Sequence, residues 1–476
     1  MASDEQNLAT ADYLVLHPRE ACHLDLLRIF YSSRLEKHDF FDSPVEDRLT
    51  GLRGRWVVFV SLAGQKMLLR LKKPLATVGS IMEKWLNYPT SNGGYGRLFW
   101  NILTGNVVTP DGSSATFRSL IGSLDTRVEL EANIRVNDEG YGPALSVMAA
   151  KIAYENEAFI TTVVRDHWKM EYLGLFNFWN EYEGQYTTQA IMFQDKKVDP
   201  NLIMVAFRGT SPFDADDWIT DLNISWYEIE GAGRVHAGFQ KALGLQKDKG
   251  WPKEIDPVSA GTKQFAYYTI REKLRDILSQ NKNAKFMVAG HSLGGALAIL
   301  FPAILSFHEE KWLLDKMEGV YTFGQPRVGD EKFGEFMKEK LRTYNVKYSR
   351  YVYSNDVVPR LPYDDKTFMF KHFGPCLYFN SLYQGQILEE EPNKNYFLVL
   401  YVLPKILSAV FELTRSFIIP FARGKEYREG LPLIIFRIIG LVFPGVSNHG
   451  PQDYVNLIRL GYFLPKSVEL QESKLE

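Results

Sequence analysis

A serine placed between two glycines offers a nucleophile near the middle of the chain. The motif GHSLG, centred on Ser292, follows an apolar stretch at Phe286–Ala289 and precedes a helical pattern rich in alanine and leucine. This context is typical of a nucleophile elbow, in which a sharp turn between strand and helix lifts the serine hydroxyl clear of its own backbone. A Cβ at Gly290 or Gly294 would crowd such a turn. The pattern predicts that Ser292 is an activated nucleophile of the kind that hydrolases use.

A serine nucleophile also needs hydrogen-bond donors for the oxyanion that forms when it attacks a carbonyl. A strand predicted at Leu202–Arg208 runs into a Gly-Thr pair that ends at Thr210. The helix that begins near Leu293 points its amide end at the same place. We therefore expect the backbone amides of Thr210 and Leu293 to form the oxyanion hole.

The acid that orients the base is expected on a loop downstream of the serine. A strand predicted at Lys347–Tyr353 is followed by Asp356. This order places the carboxylate beyond the carboxyl end of a strand, where open α/β sheets carry their functional loops. Asp330 competes for the role, but its position just ahead of a predicted helix suits an N-terminal cap. We assign Asp356 as the acid.

Two of the nine histidines follow the candidate acid in the sequence. His449 lies in a loop just before a predicted helix at Asp453–Leu460, from which an imidazole could swing over the elbow. His372 lies in a predicted strand or sheet edge, where a structural histidine is common. We prefer His449 over His372 as the general base of a Ser-His-Asp triad. The earlier His236 and His291 are interpreted as packing or shaping residues.

The elements that must position these residues alternate between strand and helix from residue 142 onward. This alternation predicts an α/β fold with a mostly parallel central sheet and helices on both faces. Predicted helices cover Ala144–Tyr154, a segment after Gly261, the segment after Ser292 and Glu331–Tyr344; predicted strands cover Gln189–Gln194, Leu202–Arg208, the stretch before Gly290, Gly319–Phe323 and Lys347–Tyr353.

Composition excludes several function classes. The 476 residues carry a formal net charge of −2, which gives no general attraction to nucleic acid. The only cysteines are Cys22 and Cys376, so no disulfide framework is expected. The N-terminus carries acids and amides instead of a basic and then apolar secretory signal. We predict an intracellular protein that is not secreted, and the triad chemistry calls for no metal or cofactor.

The first 140 residues lack this α/β alternation and are predicted to form an N-terminal extension that could associate with lipid. Two apolar stretches stand out, at Trp56–Leu71 and Arg97–Val108. Neither reaches the roughly 20 apolar residues that span a bilayer. Each could be an interfacial element or buried core; we favour core for Arg97–Val108 and leave Trp56–Leu71 open. Residues 141–476 are predicted to form the catalytic domain.

Within that domain, an apolar helical insertion at about 380–447 separates the acid from the base. From Tyr396 to Phe421, Lys405, Ser408, Glu412 and Arg415 form one narrow polar stripe on a helix that is otherwise apolar. A second apolar run covers Leu431–Val446. Six basic residues against three acidic ones between Tyr396 and Val446 suit a phosphate-bearing lipid surface. Buried core helices or a dimer interface are the alternatives, but we prefer a lid or anchor that lies on lipid.

The candidate residues lie in six short motifs that occur in order along the chain. The motifs are FRGT at Phe207–Thr210, DWITDL at Asp217–Leu222, VHAGF at Val235–Phe239, GHSLGGALA at Gly290–Ala298, TFGQPRVG at Thr322–Gly329 and NDVVPRLP at Asn355–Pro362. From about residue 142 to the C-terminus, the chain resembles the class 3 lipases, which are α/β-hydrolases. The N-terminal extension and the apolar insertion before HGPQDYVNLIRLGY resemble those of plant oil body lipases.

The resemblance implies an α/β-hydrolase fold and a triacylglycerol lipase that works without a cofactor at the surface of a lipid droplet, with the endoplasmic reticulum membrane as a further location. It maps the triad onto Ser292, Asp356 and His449, and the oxyanion donors onto Thr210 and Leu293. The segment between acid and base is much longer than in compact secreted relatives. Two alternatives remain: a phospholipase A1 or galactolipase that acts on membrane glycerolipids, and a non-catalytic lipase-like signalling scaffold. The oligomeric state stays open.

Overall fold

A computed structural model of the chain describes residues 12–463, apart from 33, 46–50, 132–133, 136–137, 199–200, 247–249, 257–260, 363–368, 395 and 397. Most of the N-terminal stretch that predicts the absence of a secretory signal lies outside the described residues. The helices are α1 His23–Tyr31, α2 Leu52–Ser91, α3 Tyr95–Thr104, α4 Leu120–Leu124, α5 Tyr141–Ile152, α6 Glu157–Thr162, α7 Ala215–Leu222, α8 Ala237–Leu243, α9 Ala266–Gln280, α10 Leu293–Phe307, α11 Lys311–Leu314, α12 Glu331–Thr343, α13 Val402–Arg423, α14 Leu431–Val442 and α15 Pro451–Leu460. The strands are β1 Tyr13–Leu16, β2 Phe41–Asp42, β3 Glu171–Asn180, β4 Gln185–Asp195, β5 Leu202–Phe207, β6 Trp226–Ile229, β7 Gly233–His236, β8 Lys285–His291, β9 Met317–Phe323, β10 Lys347–Tyr353, β11 Cys376–Phe379, β12 Gln384–Leu388 and β13 Tyr462–Phe463.

A large sheet forms the centre of the molecule. Among the described residues it has nine strands in the order β13-β12-β11-β10-β9-β8-β5-β4-β3. From β5 through β8, β9 and β10 to β11 every neighbouring pair is parallel, whereas β3 and β4 add an antiparallel edge. Every residue of β5 is buried, as expected for a strand with both faces covered. The predicted mostly parallel sheet is confirmed.

Helices cover both faces of this sheet, as the alternating pattern predicts. Ile203, Val205 and other residues at alternate positions of β5 pack in one core with α8, α9 and α10. The intervening Leu202 and Met204 pack in a second core with α5 and α15. Because successive side chains of a strand point to opposite faces, one apolar strand contributes to both cores.

The N-terminal residues pack directly against this α/β unit. A small antiparallel sheet, β2-β1-β6-β7, pairs Tyr13 with Tyr227. The long helix α2 lies against α7, where the Ser61 hydroxyl donates to the carbonyl of Leu222 at 2.8 Å. The division into an extension at 1–140 and a catalytic domain at 141–476 stays a prediction.

The two apolar N-terminal stretches differ in how far the fold covers them. The core prediction for Arg97–Val108 is wrong, because none of the residues of α3 is buried and Trp100 is 64% exposed. Trp56–Leu71 lies within α2, which buries a narrow stripe that includes Val58 and Leu62 while Trp56 stays exposed. Hydropathy identified both segments, but it carries no information on whether the fold covers them.

The two insertion helices bury their polar sides and expose their apolar sides, which is the reverse of ordinary surface helices. In α13 the polar stripe is buried, including Lys405, Glu412 and Arg415, while Phe421 is 92% exposed. The same inversion occurs in α14, where Arg437 is buried. The alternative of buried core helices is therefore wrong. Across the described residues, no helix combines the length and hydropathy needed to cross a bilayer.

Candidate active site

The turn between β8 and α10 holds Ser292 in a backbone conformation that few residues adopt. Its φ is 59° and its ψ is −132°, a strained combination that clusters at functional sites. An added Cβ at Gly290 would lie 2.1 Å from the carbonyl carbon of Gly294, and one at Gly294 would lie 2.3 Å from the carbonyl oxygen of Phe207. The turn therefore tolerates only glycine at these two positions.

The loop after β5 lies against this turn. An added Cβ at Gly209 would be 3.0 Å from the Cβ of Ser292, so the loop that carries Thr210 touches the serine. The Thr210 hydroxyl is buried and donates to Asp221 Oδ2 at 2.7 Å. Leu293, the other predicted oxyanion donor, is the first residue of α10. Thr210 thus lies on the neighbouring loop and Leu293 directly follows the serine, and their role as oxyanion donors stays a prediction.

Asp221 is a site residue that sequence reasoning missed. Burial raises the pKa of Asp221 to about 7, against the lowering effect of the hydrogen bond from Thr210. The carboxyl fixes the threonine side chain and with it the loop. The DWITDL motif contained this residue, but its spacing alone did not connect it to Thr210.

Asp356 and His449 meet despite the long segment between them. His449 Nδ1 lies 2.8 Å from Asp356 Oδ2, and the carboxylate is fully buried. Asp356 also accepts hydrogen bonds from the backbone amide of Val358 at 2.9 Å and from the hydroxyl of Tyr454 at 2.5 Å. A proton on Nδ1 suits the carboxylate, which leaves His449 Nε2 free to act as a base. The role of Tyr454 was also missed, although the residue lies in the HGPQDYVNLIRLGY motif.

The histidine–aspartate pair lies next to the serine turn. The Ser292 amide donates to the carbonyl of Phe323 at 2.9 Å. At the following residue, Gly324, an added Cβ would lie 2.9 Å from both Asp356 Oδ2 and His449 Cε1. Within the described part of the chain, the buried His449 Nε2 has no hydrogen-bond partner, so it is not bonded to the Ser292 hydroxyl either. Hydrogen bonds between a nucleophile and its base are often long without substrate and tighten in the reacting complex.

The other histidines have structural partners. His372 Nε2 hydrogen-bonds to the carbonyl of Pro359 at 2.7 Å, and burial, with a contribution from Arg350, lowers the pKa of His372 to about 3. His236 accepts from the backbone amide of Phe239 at the start of α8. These contacts agree with the structural interpretation of both residues.

His291 packs directly under the candidate base. Its ring stacks on that of His449 at 4.5 Å between centroids, and its Nε2 hydrogen-bonds to the His449 carbonyl at 2.9 Å. Burial, then the neighbouring His449, keeps the pKa of His291 well below its usual value. These contacts agree with the interpretation of His291 as a packing or shaping residue. Asp330, the competing acid, accepts from the amide of Phe333 at 2.9 Å and caps α12 as predicted.

A buried charge cluster joins the insertion helices to the base. Arg437 binds Glu429 at 2.6 Å and Asp453 at 3.1 Å, and Asn448 donates to Glu412 at 2.7 Å. Burial opposes ionisation of Asp453, but Arg437 and Arg415 outweigh it and hold the pKa of that carboxyl below its usual range. Asn448 and Asp453 flank His449, so α13 and α14 hold the backbone that presents the imidazole.

We expect Arg437→Met to destabilise the fold by about 3–5 kcal/mol, because it leaves buried carboxylates without their partner. Denaturant unfolding monitored by tryptophan fluorescence measures the effect. Arg423→Met, at the exposed end of α13, removes the same charge and should change stability by about 0.5 kcal/mol or less. Equal unfolding midpoints for the two variants would show that the cluster contributes nothing to stability.

Comparison with known proteins agrees with this geometry. A family model described as "Lipase (class 3)" matches residues 204–366. Triacylglycerol lipase OBL1 of Nicotiana tabacum is 43% identical over 86% of this chain and 83% of that protein. The chain belongs to the class 3 lipase family. This class 3 lipase is also 39% identical to triacylglycerol lipase OBL1 of Arabidopsis thaliana over 98% of this chain and 97% of that protein. The Ricinus communis protein of the same name is 35% identical over 96% of both chains. The fold of this class 3 lipase is the α/β-hydrolase fold that its sequence predicted.

Proposed function

We propose that this class 3 lipase hydrolyses the carboxylic ester bonds of long-chain acylglycerols at a lipid–water interface through an acyl-enzyme. The observation that supports it most is the hydrogen-bonded pair of His449 and Asp356, which packs against Gly324 and His291 next to the strained turn of Ser292. The names of its relatives favour triacylglycerol as the substrate.

The proposed reaction divides ester cleavage into two steps. Ser292 Oγ attacks the ester carbonyl while His449 Nε2 takes the hydroxyl proton, and the amides of Thr210 and Leu293 stabilise the resulting oxyanion. The tetrahedral intermediate collapses as His449 returns the proton to the departing glycerol oxygen. Water then attacks the acyl-enzyme by the same route and releases a fatty acid. Asp356 keeps the imidazole oriented and stabilises its charged form throughout.

The exposed apolar side chains support a lipid surface as the partner. Phe417 and Phe421 of α13, Val442 of α14 and Trp85 of α2 are all more than half exposed, as are Phe99 and Trp100 of α3. Burying one such side chain is worth about 1.5–3 kcal/mol, so a face of this size favours association with lipid. Because the polar sides of α13 and α14 are occupied by the charge cluster, only their apolar sides remain to meet a partner. We propose that this face lies on the surface of a lipid droplet.

Phe417→Gln combined with Phe421→Gln should weaken droplet association by roughly 100-fold, since each change removes a large apolar side chain from lipid. Flotation with artificial triacylglycerol droplets measures it. Hydrolysis of a soluble short-chain ester should stay within about 2-fold, and Trp312→Gln, an exposed aromatic of α11, serves as the matched control. If the double variant lost soluble-ester hydrolysis as strongly as droplet binding, these side chains would belong to the folded core.

The substrate class is tested by comparing rates on emulsified triacylglycerol, phosphatidylcholine and galactolipid. The Ser292→Ala variant supplies the background for each substrate. Triacylglycerol hydrolysis well above that on the two membrane lipids is expected. Faster release of fatty acid from either membrane lipid would instead favour the phospholipase or galactolipase alternative.

A further inference from the structure

A large cavity lies where the end of α2 meets the insertion helices. It has a volume of about 1120 Å³, larger than most small-molecule sites. Its walls come from residues 86–95 near the end of α2, from residues 118–126, and from residues 416–434 in α13, α14 and their connector. It is therefore built from the N-terminal region and the insertion together, apart from the triad.

Three cations, Arg118, Lys425 and Arg428, line this cavity. In the part of the chain that the structure describes, the side chains of Lys425 and Arg428 form no ion pair and no hydrogen bond, whereas the charge of Arg118 also acts on the buried carboxyl of Glu155. The acidic residue of the lining, Glu429, already accepts from Arg437 at 2.6 and 2.7 Å and from Ser416 at 2.6 Å. The lining therefore carries a net positive charge, which is complementary to an anion.

The rim of the same cavity is apolar and belongs to the proposed lipid-contacting face. Phe417, Phe421 and Leu431 line the cavity and are each more than half exposed. Thr90, Ser123 and Thr126, which carry hydroxyl groups, also line the cavity. The cavity thus combines cations and hydroxyl-bearing residues with an apolar rim. This combination is complementary to an amphiphile that has an anionic headgroup and apolar chains.

We propose that this cavity binds the phosphate headgroup of an anionic phospholipid from the surface monolayer, with the acyl chains left along the apolar rim. Three cations match a phosphate group, whose several oxygens accept from guanidinium and hydroxyl donors at once, better than they match the single carboxylate of a fatty acid. The proposal rests on the lipid-surface association proposed above. It adds a headgroup site that selects which lipid surface the enzyme occupies.

The test uses the full-length protein and vesicles of phosphatidylcholine, alone or with a minor fraction of phosphatidic acid. Neutralising the cavity with Arg118→Gln, Lys425→Gln and Arg428→Gln should reduce binding to the acidic vesicles by roughly 100-fold, since each surface cation contributes about 5-fold. Binding to pure phosphatidylcholine should change by about 2-fold or less, because apolar side chains carry it. The control variant Lys332→Gln, Arg342→Gln and Lys347→Gln makes the same charge change at exposed positions of α12 and β10.

Three outcomes would overturn the proposal. One is an equal loss for the cavity and control variants, which would indicate non-specific attraction. A second is a loss of binding by the cavity variant that is as large on vesicles containing oleic acid as on vesicles containing phosphatidic acid at matched surface charge. This result would indicate a fatty acid site. The third is an unchanged preference for phosphatidic acid in the cavity variant. Hydrolysis of a soluble short-chain ester, measured on the same preparations, reports separately on the catalytic proposal, so failure of one is distinguishable from failure of the other.

Discussion

Ser292→Ala should reduce ester hydrolysis by roughly 10⁵- to 10⁶-fold, because the variant keeps the substrate site and the oxyanion donors but has no nucleophile. The measurement is single-turnover and steady-state hydrolysis of a soluble short-chain ester, for which adsorption to lipid does not limit the rate. Alanine at this position has the same backbone strain as serine, so stability should change little. Ser306→Ala, at the other end of α10, is a matched control that should retain full activity.

The same variant separates an enzyme from a scaffold. The lipase-like signalling scaffold inferred as an alternative would bind its partners without needing the serine. If the wild type and Ser292→Ala hydrolysed the ester at the same rate, the scaffold interpretation would replace the catalytic one. Loss of activity with an unchanged unfolding midpoint supports catalysis by this residue.

His449→Ala should lower kcat by roughly 10⁵-fold, since the nucleophile then has no base to take its proton. His372→Ala is the informative comparison, because it tests the other late histidine. His372 contacts the carbonyl of Pro359 and lies near Glu391, so its loss should cost stability and leave kcat within a few-fold.

A reversed ranking would change the assignment. If His372→Ala removed activity while His449→Ala kept it, the hydrogen bond between His449 and Asp356 would be structural. The acid would then also need reassignment, because among the described histidines it is His449 that contacts Asp356. Measuring unfolding for both variants distinguishes loss of chemistry from loss of fold.

Local sequence pattern predicted the elements around the site well. The strand at Lys347–Tyr353 has the predicted bounds, and α10 begins directly after Ser292 as predicted. These elements combine strong periodicity with glycines that permit few alternative conformations, so nearby residues determine them. Asp356 could be placed for the same reason, since it follows a well-defined strand.

Contacts between distant segments could not be predicted in this way. Asp221 reaches Thr210 and Tyr454 reaches Asp356 through side-chain geometry that only the folded chain defines. The orientation of α13 is a further case. Periodicity showed that one stripe of the helix is polar, but which stripe faces the protein depends on partners such as Arg437 and Asp453 in other elements.

The inverted insertion helices determine how a water-soluble form of the enzyme could be made. Excising residues 402–442 would remove α13, α14 and the charges that hold the backbone around His449, so a shortened protein should be inert. Substituting the exposed apolar side chains of α13 and α14 with hydrophilic ones would leave the buried charges that support the His449 backbone in place. We therefore expect solubility to respond to surface redesign and not to trimming, because the same two helices carry the exposed apolar side chains and the charges that support the backbone around His449.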